Sequence, residues 1–474
     1  MLSLLSDLLW SKILIAVLIG LGLWFTLASR FIQFRYFGKM FSILTARHHE
    51  TDGHLSSFQA LILSVAGRVG GGNIAGVAVA ITLGGPGAIF WMWVVGLMGM
   101  ATSFIECTLA QIYKKAEPDG TYRGGPAYYI EKGLGTKWKW LAVIYSILLL
   151  ATFGIAFVAL QSYAVANSLK DAFGIPLSYS GIGLAIVVGM IIFGGVKRIA
   201  KVAEVLVPVM AGGYLLIALV VLAMNITAIP DTLMMIVKSA FGIGPAIGGG
   251  VGAAILMGVK RGLFSNEAGL GSAPNVAAVA YVPHPASQGV VQAFSVFIDT
   301  ILLCTCTALI ILLGTAYDPS TVSAADGIAL TQASLATHIG ETGRIFVSIA
   351  LLLFSFSTVL YNYYLGENSL SYLTKDKNNP WLMNGFRVLI LFLCCIGAVL
   401  NLGTVFSFAD LTMGLLALAN LLALALLFKK ARSVTKDYDD QVKAGVAQPS
   451  FDSAKFPELD LDKDAWPEIN KSTK

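Results

Sequence analysis

Apolar residues in this chain run in long unbroken blocks instead of alternating with polar ones or forming stripes of helical period. Residues 12–29, 138–166, 179–195 and 202–226 are the clearest blocks, each long enough, or nearly so, to cross about 30 Å of hydrocarbon as a helix. The same reading along the chain predicts eleven spans, near 8–29, 56–83, 87–113, 138–166, 179–195, 202–226, 241–259, 286–314, 343–371, 385–402 and 404–428. A soluble core needs no runs of this length. The pattern therefore predicts an all-α polytopic membrane protein in contact with a lipid bilayer.

Charge refines the picture by where it falls. Basic residues sort into alternate loops: Arg30, Arg35, Lys39 and Arg47 after the first span, Lys114, Lys115, Arg123, Lys132, Lys137 and Lys139 after the third, and Lys197, Arg198 and Lys201 after the fifth. Lys260 and Arg261, then Lys375 and Lys377, then Lys429, Lys430 and Arg432 continue the alternation. The intervening loops are poor in base, and the stretch 315–342 is acidic. The positive-inside rule then puts the N-terminus outside and the C-terminus in the cytoplasm, as in a multi-pass protein of a bacterial inner membrane. Residues 431–474 mix both charges with Pro, Ser and Gln and read as a solvated, partly disordered cytosolic tail.

Composition excludes several classes. The chain is 56% hydrophobic and 12% charged, where soluble domains carry about 25% charged residues. The bases sit at segment ends and form no single face, so no nucleic-acid partner is implied. The five cysteines fall in apolar segments without metal-like spacing. No hydrolase, metalloprotease or phosphate-loop motif appears, so no enzyme activity is expected.

Two spans are unlike the rest. The second holds Gly67, Gly70, Gly71, Gly72 and Asn73, and the seventh holds Gly242, Gly244, Gly248, Gly249, Gly250 and Gly252. Each Gly costs up to about 1 kcal/mol inside a helix, and three in succession invite unwinding. The two clusters lie five spans apart, an odd number, so a five-span repeat must be inverted in the membrane. This predicts an extra helix (1–34), a first repeat (56–226), a second repeat (241–430) and the tail (431–474), with a transport site between two interrupted helices. Buried ionisable residues at Arg68, Glu106 and Asp299 add functional candidates: Arg68 with Glu106 as a pair, Asp299 for proton coupling if no metal ion drives transport. Glu267 is expected to brace its own loop.

The stretches Gly70-Gly71-Gly72-Asn73-Ile74-Ala75-Gly76, Gly84-Gly85-Pro86-Gly87, Gly124-Gly125-Pro126 and Arg261-Gly262-Leu263-Phe264-Ser265-Asn266-Glu267-Ala268-Gly269-Leu270-Gly271-Ser272 closely resemble the alanine-or-glycine:cation symporters, also called sodium:alanine symporters. The resemblance covers roughly residues 10–430 and implies a leucine-transporter-like fold, a small neutral amino acid as substrate and sodium as coupling ion, with no organic cofactor. Gly70, Gly71 and Gly72 are the expected N–H donors to the substrate carboxylate, and Gly248, Gly249 and Gly250 the expected carbonyls for its ammonium. Gln161 is a further expected substrate contact, with Phe264, Phe354 and Trp91 as candidate walls. The resemblance further implies that Asn73 ligates sodium or substrate, or caps the second half-helix, and that the carbonyls of Ala66 and Val69 and the hydroxyls of Ser357 and Thr358 ligate sodium. Family members often carry a hydroxyl residue where this chain has Gly71, which leaves a glutamine-selective or proton-coupled symporter of the same fold as the alternative.

Overall fold

A computed structural model describes residues 2–45, 55–118, 120–243, 250–318, 327–375 and 379–467. The chain is almost wholly helical, as a backbone in hydrocarbon must be when it has no water to satisfy it. After an N-terminal helix (Leu2–Leu9) continuing into α1 (Ile15–Ala28), the principal helices are α2 (Ser57–Arg68), α3 (Val77–Gly84), α4 (Gly87–Ile112), α5 (Thr136–Phe173), α6 (Leu177–Ile192), α7 (Gly195–Met224), α8 (Ile229–Ala240), α9 (Gly250–Asn266), α10 (Ser272–Ala277), α11 (Pro285–Leu313), α12 (Gly327–Ile339), α13 (Glu341–Leu373), α14 (Pro380–Gly397) and α15 (Leu402–Lys443). Seven of these are long and apolar enough to cross a membrane, and α2 with α3 forms one further span bent by 52°.

Sequence dictates the ends. Ser56 and Gln59 form a reciprocal capping box that starts α2, and proline at the first turn opens α11 and α14. Only 28% of the apolar window of α7 and of α14 is buried, against 67% for α4 and α13, so the first pair faces lipid and the second forms the centre.

The seventh span is displaced from its expected place. Residues 241–243 are not helical and 244–249 lie outside the described residues, while α9 begins at Gly250 and runs beyond the expected end at 259. Lys260 and Arg261 therefore lie inside a helix. They line a cavity with Leu83, Leu177 and Asn401, residues at the base-poor ends of α3, α6 and α15, so they do not belong to the base-rich loops.

The tail also departs from expectation. Helix α15 continues to Lys443, and Phe451, Phe456, Leu459, Ala465 and Trp466 are buried against the base-rich face. The Phe451 N–H donates to Pro283 O at 2.8 Å, and Trp466 Nε1 donates to Gln111 O at 2.9 Å. Spaced apolar residues in a charged segment supply enough anchors to order it. The Lys114 ammonium lies 4.0 Å from the ring of Tyr122 and 4.4 Å from that of Trp466.

His284 closes this region. Its Nδ1 accepts the Ala286 N–H at 3.1 Å, and its Nε2 lies 3.4 Å from Asp437 Oδ2. Burial lowers the imidazole below its usual 6.5, so the folded state favours the neutral ring and its contribution holds above that value and is lost as pH falls below it. Protonation at Nδ1 also removes the acceptor. Tail residues 444–467 are expected to become more protease-sensitive between pH 7.5 and 5.5, and His284→Gln to flatten that dependence.

Candidate functional site

Helix α2 stops because Val69 turns to extended backbone (φ −79°, ψ 90°). Val69 N–H still reaches Val65 O at 2.8 Å, but the next two N–H groups leave the helix. Gly70 N–H donates to Asn73 Oδ1 at 2.9 Å and Gly71 N–H to Gln161 Oε1 at 3.0 Å. The carbonyls of Ala66 and Gly67, which those groups would have bonded, are left to other donors. Helix α13 supplies them. Ser357 Oγ lies 3.0 Å from Ala66 O, and Thr358 Oγ1 lies 3.1, 3.2 and 3.4 Å from the carbonyls of Ala66, Gly67 and Val69. Both hydroxyls also sit within 2.9 Å of Phe354 O in their own helix. Each hydroxyl has one proton, so two protons are shared among three freed carbonyls and the helical carbonyl of Phe354.

Beyond the break a π-helical turn, Gly72–Gly76, leads into α3. Asn73, fully buried, caps Gly70 and donates from Nδ2 to Asp299 Oδ1 at 2.6 Å. The same carboxylate accepts from Ser265 Oγ at 2.6 Å and Thr300 Oγ1 at 2.7 Å. Asp299 has no basic partner within ion-pair distance among the described residues. Its hydrogen-bond partners are all neutral groups.

Of the glycines expected at the second interruption, Gly248 and Gly249 lie outside the described residues, and Gly250 heads α9 in open space, away from the cavity walls. Among the described residues the backbone breaks at Glu267–Gly271, where Glu267 (φ 55°), Gly269 (φ 91°) and Gly271 (φ 80°) take left-handed conformations. Helix α2 packs on α10 and α3 packs on α9, so the two interrupted helices lie antiparallel, as an inverted repeat requires.

Buried side chains secure this break. Glu267 accepts from Ser272 Oγ at 2.6 Å and Tyr361 OH at 3.4 Å, the bracing role expected of it. Glu106 takes the Gly269 N–H at 3.2 Å and Asn420 Nδ2 at 3.1 Å. The expected Arg68–Glu106 ion pair does not form. Arg68 donates to Ser103 Oγ at 3.1 Å, to Gln292 O at 3.3 Å and to Ser295 Oγ.

A cavity of about 440 Å³ opens above the first break toward the base-poor face, from Gly71 and Gln161 to Lys170 and Asp171. Phe264, Phe406 and Gln332 complete its walls. Of the expected substrate contacts, Gly71 and Gln161 line it; Gly70, Gly72 and Asn73 lie behind them. Phe264 walls it as expected, whereas Trp91 packs toward Phe241 and Phe354 toward Tyr214. Sequence reasoning missed Phe406, Gln332 and Ser265. Ser265 stood in the long polar motif, while the other two carried no signal.

The family described as the sodium:alanine symporter family matches residues 1–453. The amino-acid carrier protein AlsT of Bacillus subtilis is 48% identical over 454 residues, covering 96% of this chain and 95% of that protein. The probable sodium/glutamine symporter GlnT of the same organism is 47% identical over 441 residues, covering 93% and 90%. Among solved structures, MhsT in complex with L-phenylalanine aligns over 81% of this chain and 100% of its own with a TM-score of 0.54 at 13% identity; at that identity the likeness is one of fold alone.

The break depends on absent side chains. A Cβ at Gly67 would enter the ring of buried Tyr361, and one at Gly70 would meet Thr358 Oγ1 at 2.6 Å. Gly67→Ala is expected to cost about 1–3 kcal/mol, read as a lower melting temperature in detergent. Gly252→Ala, with open space around it, serves as the near-neutral control.

Proposed function

Since this chain belongs to the sodium:alanine symporter family, a family of transporters and not enzymes, we propose that it imports a small neutral amino acid with sodium across a bacterial inner membrane by alternating access. The observation that carries this reading is the set of freed carbonyls of Ala66, Gly67 and Val69 sharing two hydroxyl protons, those of Ser357 and Thr358, which Phe354 O of their own helix also attracts. Oxygens in excess of donors, deep in the membrane, form a place where a hard monovalent cation supplies the missing positive charge. Asn73, Ser265 and Asp299 offer a second cation position: a full carboxylate with only neutral partners gains most from a neighbouring ion.

The substrate position follows from Gly71 and Gln161. The Gly71 N–H and Gln161 Oε1 satisfy each other at 3.0 Å on the cavity wall. A zwitterion replaces that bond with two: its carboxylate takes the N–H and its ammonium takes Oε1. The loop charges put the N-terminus outside and the C-terminus in the cytoplasm, so the cavity opens to the exterior.

A glutamine-selective symporter is the second reading, favoured by a specific feature. Gly71 adds no side chain to a cavity of about 440 Å³, far more than alanine fills, and a relative 47% identical is named a probable sodium/glutamine symporter.

Uptake of labelled alanine, glycine and glutamine into proteoliposomes tests both readings. Alanine uptake is expected to require an inward sodium gradient, and Thr358→Val to raise the sodium needed for half-maximal uptake at least tenfold. Uptake driven by a pH gradient and indifferent to sodium would overturn the ion assignment. A Cβ at position 71 would meet Gln161 Oε1 at 3.1 Å and Ala164 Cβ at 3.5 Å. Gly71→Thr should therefore reduce glutamine uptake more than alanine uptake; unchanged selectivity removes Gly71 from the specificity determinants.

A further inference from the structure

On the base-rich face, α1 ends at Ala28, and Arg30 and Phe31 follow in left-handed conformation, each at φ 55°. Two such residues in succession, neither of them glycine, turn the chain sharply into a helical turn at Ile32–Arg35. That reversal brings Arg30 and Arg35 to one cavity of about 320 Å³, which α15 also walls. Phe428, Arg432, Thr435, Lys436, Asp439 and Lys443 recur at helical spacing along the lining face of α15.

Part of the charge here is used within the fold. Arg35 Nη1 donates to Asp439 Oδ2 at 2.7 Å and its Nη2 to Ser29 O at 3.1 Å, while Tyr36 OH donates to Asp439 Oδ1. This brace fixes the reversal against α15. Among the described residues, the other cations of the cavity, Arg30, Arg432, Lys436 and Lys443, have no carboxylate within ion-pair distance, and Asp440 has no base. Five bases against two acids leave an excess of three positive charges. Like charges gathered on one wall repel, and an anion among them relieves the repulsion.

The same cavity has an apolar lining of Ala28, Ile105 and Phe428. The Trp24 ring packs on Phe428, with 4.6 Å between centroids. Trp24, Leu27 and Phe31 are exposed, which in a membrane-spanning chain is contact with lipid. Tryptophan beside a basic cluster marks the boundary between hydrocarbon and headgroups, and basic pockets between helices at that level suit lipid headgroups. An occupant that fits the whole cavity carries an anionic head and an apolar body.

We propose that this cavity binds the phosphate of an anionic phospholipid in the leaflet on the base-rich side. Arg30, Arg432 and Lys436 surround the phosphate, and an acyl chain lies against Trp24 and Leu27. Arginine suits the task because its planar donors meet two phosphate oxygens at once. The shared chemistry is a phosphate ester; a lipid headgroup or a soluble phosphate ester can supply it, and the arms below separate them.

The test is native mass spectrometry of the purified full-length protein in detergent, titrated with dioleoylphosphatidylglycerol or dioleoylphosphatidylcholine. One phosphatidylglycerol per chain is expected to bind at least tenfold more tightly than phosphatidylcholine. Arg432→Gln and Lys436→Gln, both at exposed residues without an ion pair, are each expected to weaken phosphatidylglycerol at least fivefold, so that misfolding of one variant does not decide the matter. Lys429→Gln, exposed on the same helix but outside the cavity, should change the affinity less than twofold. Glycerol phosphate at millimolar concentration should not displace the lipid. Equal affinity for the two lipids overturns the proposal, as does binding that both cavity variants leave intact. Weakening by Lys429→Gln as large as that by Arg432→Gln makes the attraction a diffuse one and overturns it too. Displacement by glycerol phosphate makes the cavity a soluble phosphate-ester site and overturns the lipid assignment.

Discussion

A backbone carbonyl that leaves its helix inside hydrocarbon has no water to turn to, and the centre of this protein is arranged around that fact. At Val69 the helix ends in mid-bundle, and each freed group finds a specific partner: Gly70 N–H on Asn73, Gly71 N–H on Gln161, the carbonyls of Ala66, Gly67 and Val69 on Ser357 and Thr358. The donors are all matched, whereas the acceptors outnumber the protons offered to them. That imbalance cannot be relieved by repacking, since an additional side chain at Gly67 or Gly70 has nowhere to go. The break is thus both fully supported and chemically incomplete.

Buried charge follows a related logic. Arg68, Glu106, Glu267 and Asp299 are all at least 98% buried around the two interruptions, one cation among three acids. None of the acids forms an ion pair with Arg68; each is held by hydroxyl, amide or backbone donors from a different helix. A direct pair would have neutralised one acid and left the others uncompensated. Dispersed donors instead tie α4 to the Glu267–Gly271 segment, and that segment to α13 through Tyr361. The polar residues that look expensive in a membrane are what fixes the non-helical backbone there.

Much of this was legible in the sequence, and the failures have physical causes. The first interruption, Gln161 and the Ser357–Thr358 pair were all readable, because consecutive glycines and isolated polar residues stand out in an apolar span. The break at Glu267–Gly271 went unread because the run from Gly242 to Gly252 is the louder signal of composition. The unread break uses a non-glycine residue in left-handed conformation, Glu267, with Gly269 and Gly271 spaced apart. Its polar surroundings read as an aqueous loop, since a local sequence cannot show that Glu267 meets Tyr361 or that Gly269 meets Glu106, partners 94 and 163 positions away. The tail misled for the opposite reason. Its charges dominate its composition, but five well-spaced apolar residues decide its placement.

The helices also fall into two groups, and the oxygen-rich cluster lies between them. Helices α3, α4, α9, α10 and α11 pack on one another, and α5, α6, α12, α13 and α14 form a second set. The cluster joins α2, which leads into the first group, to α13, at the heart of the second. Neutral hydroxyl–carbonyl contacts across such a seam are worth about 1 kcal/mol each and can exchange as the groups shift. A cation among the same oxygens binds both sides at once and strengthens the seam by its own binding energy. Because Gly71, at the end of the same unwound segment, lines the central cavity, any ion that orders the carbonyls of residues 66–69 also orders the N–H group next to them. On the proposed function, ion and substrate are then linked through five consecutive backbone units, a coupling that requires no long-range pathway.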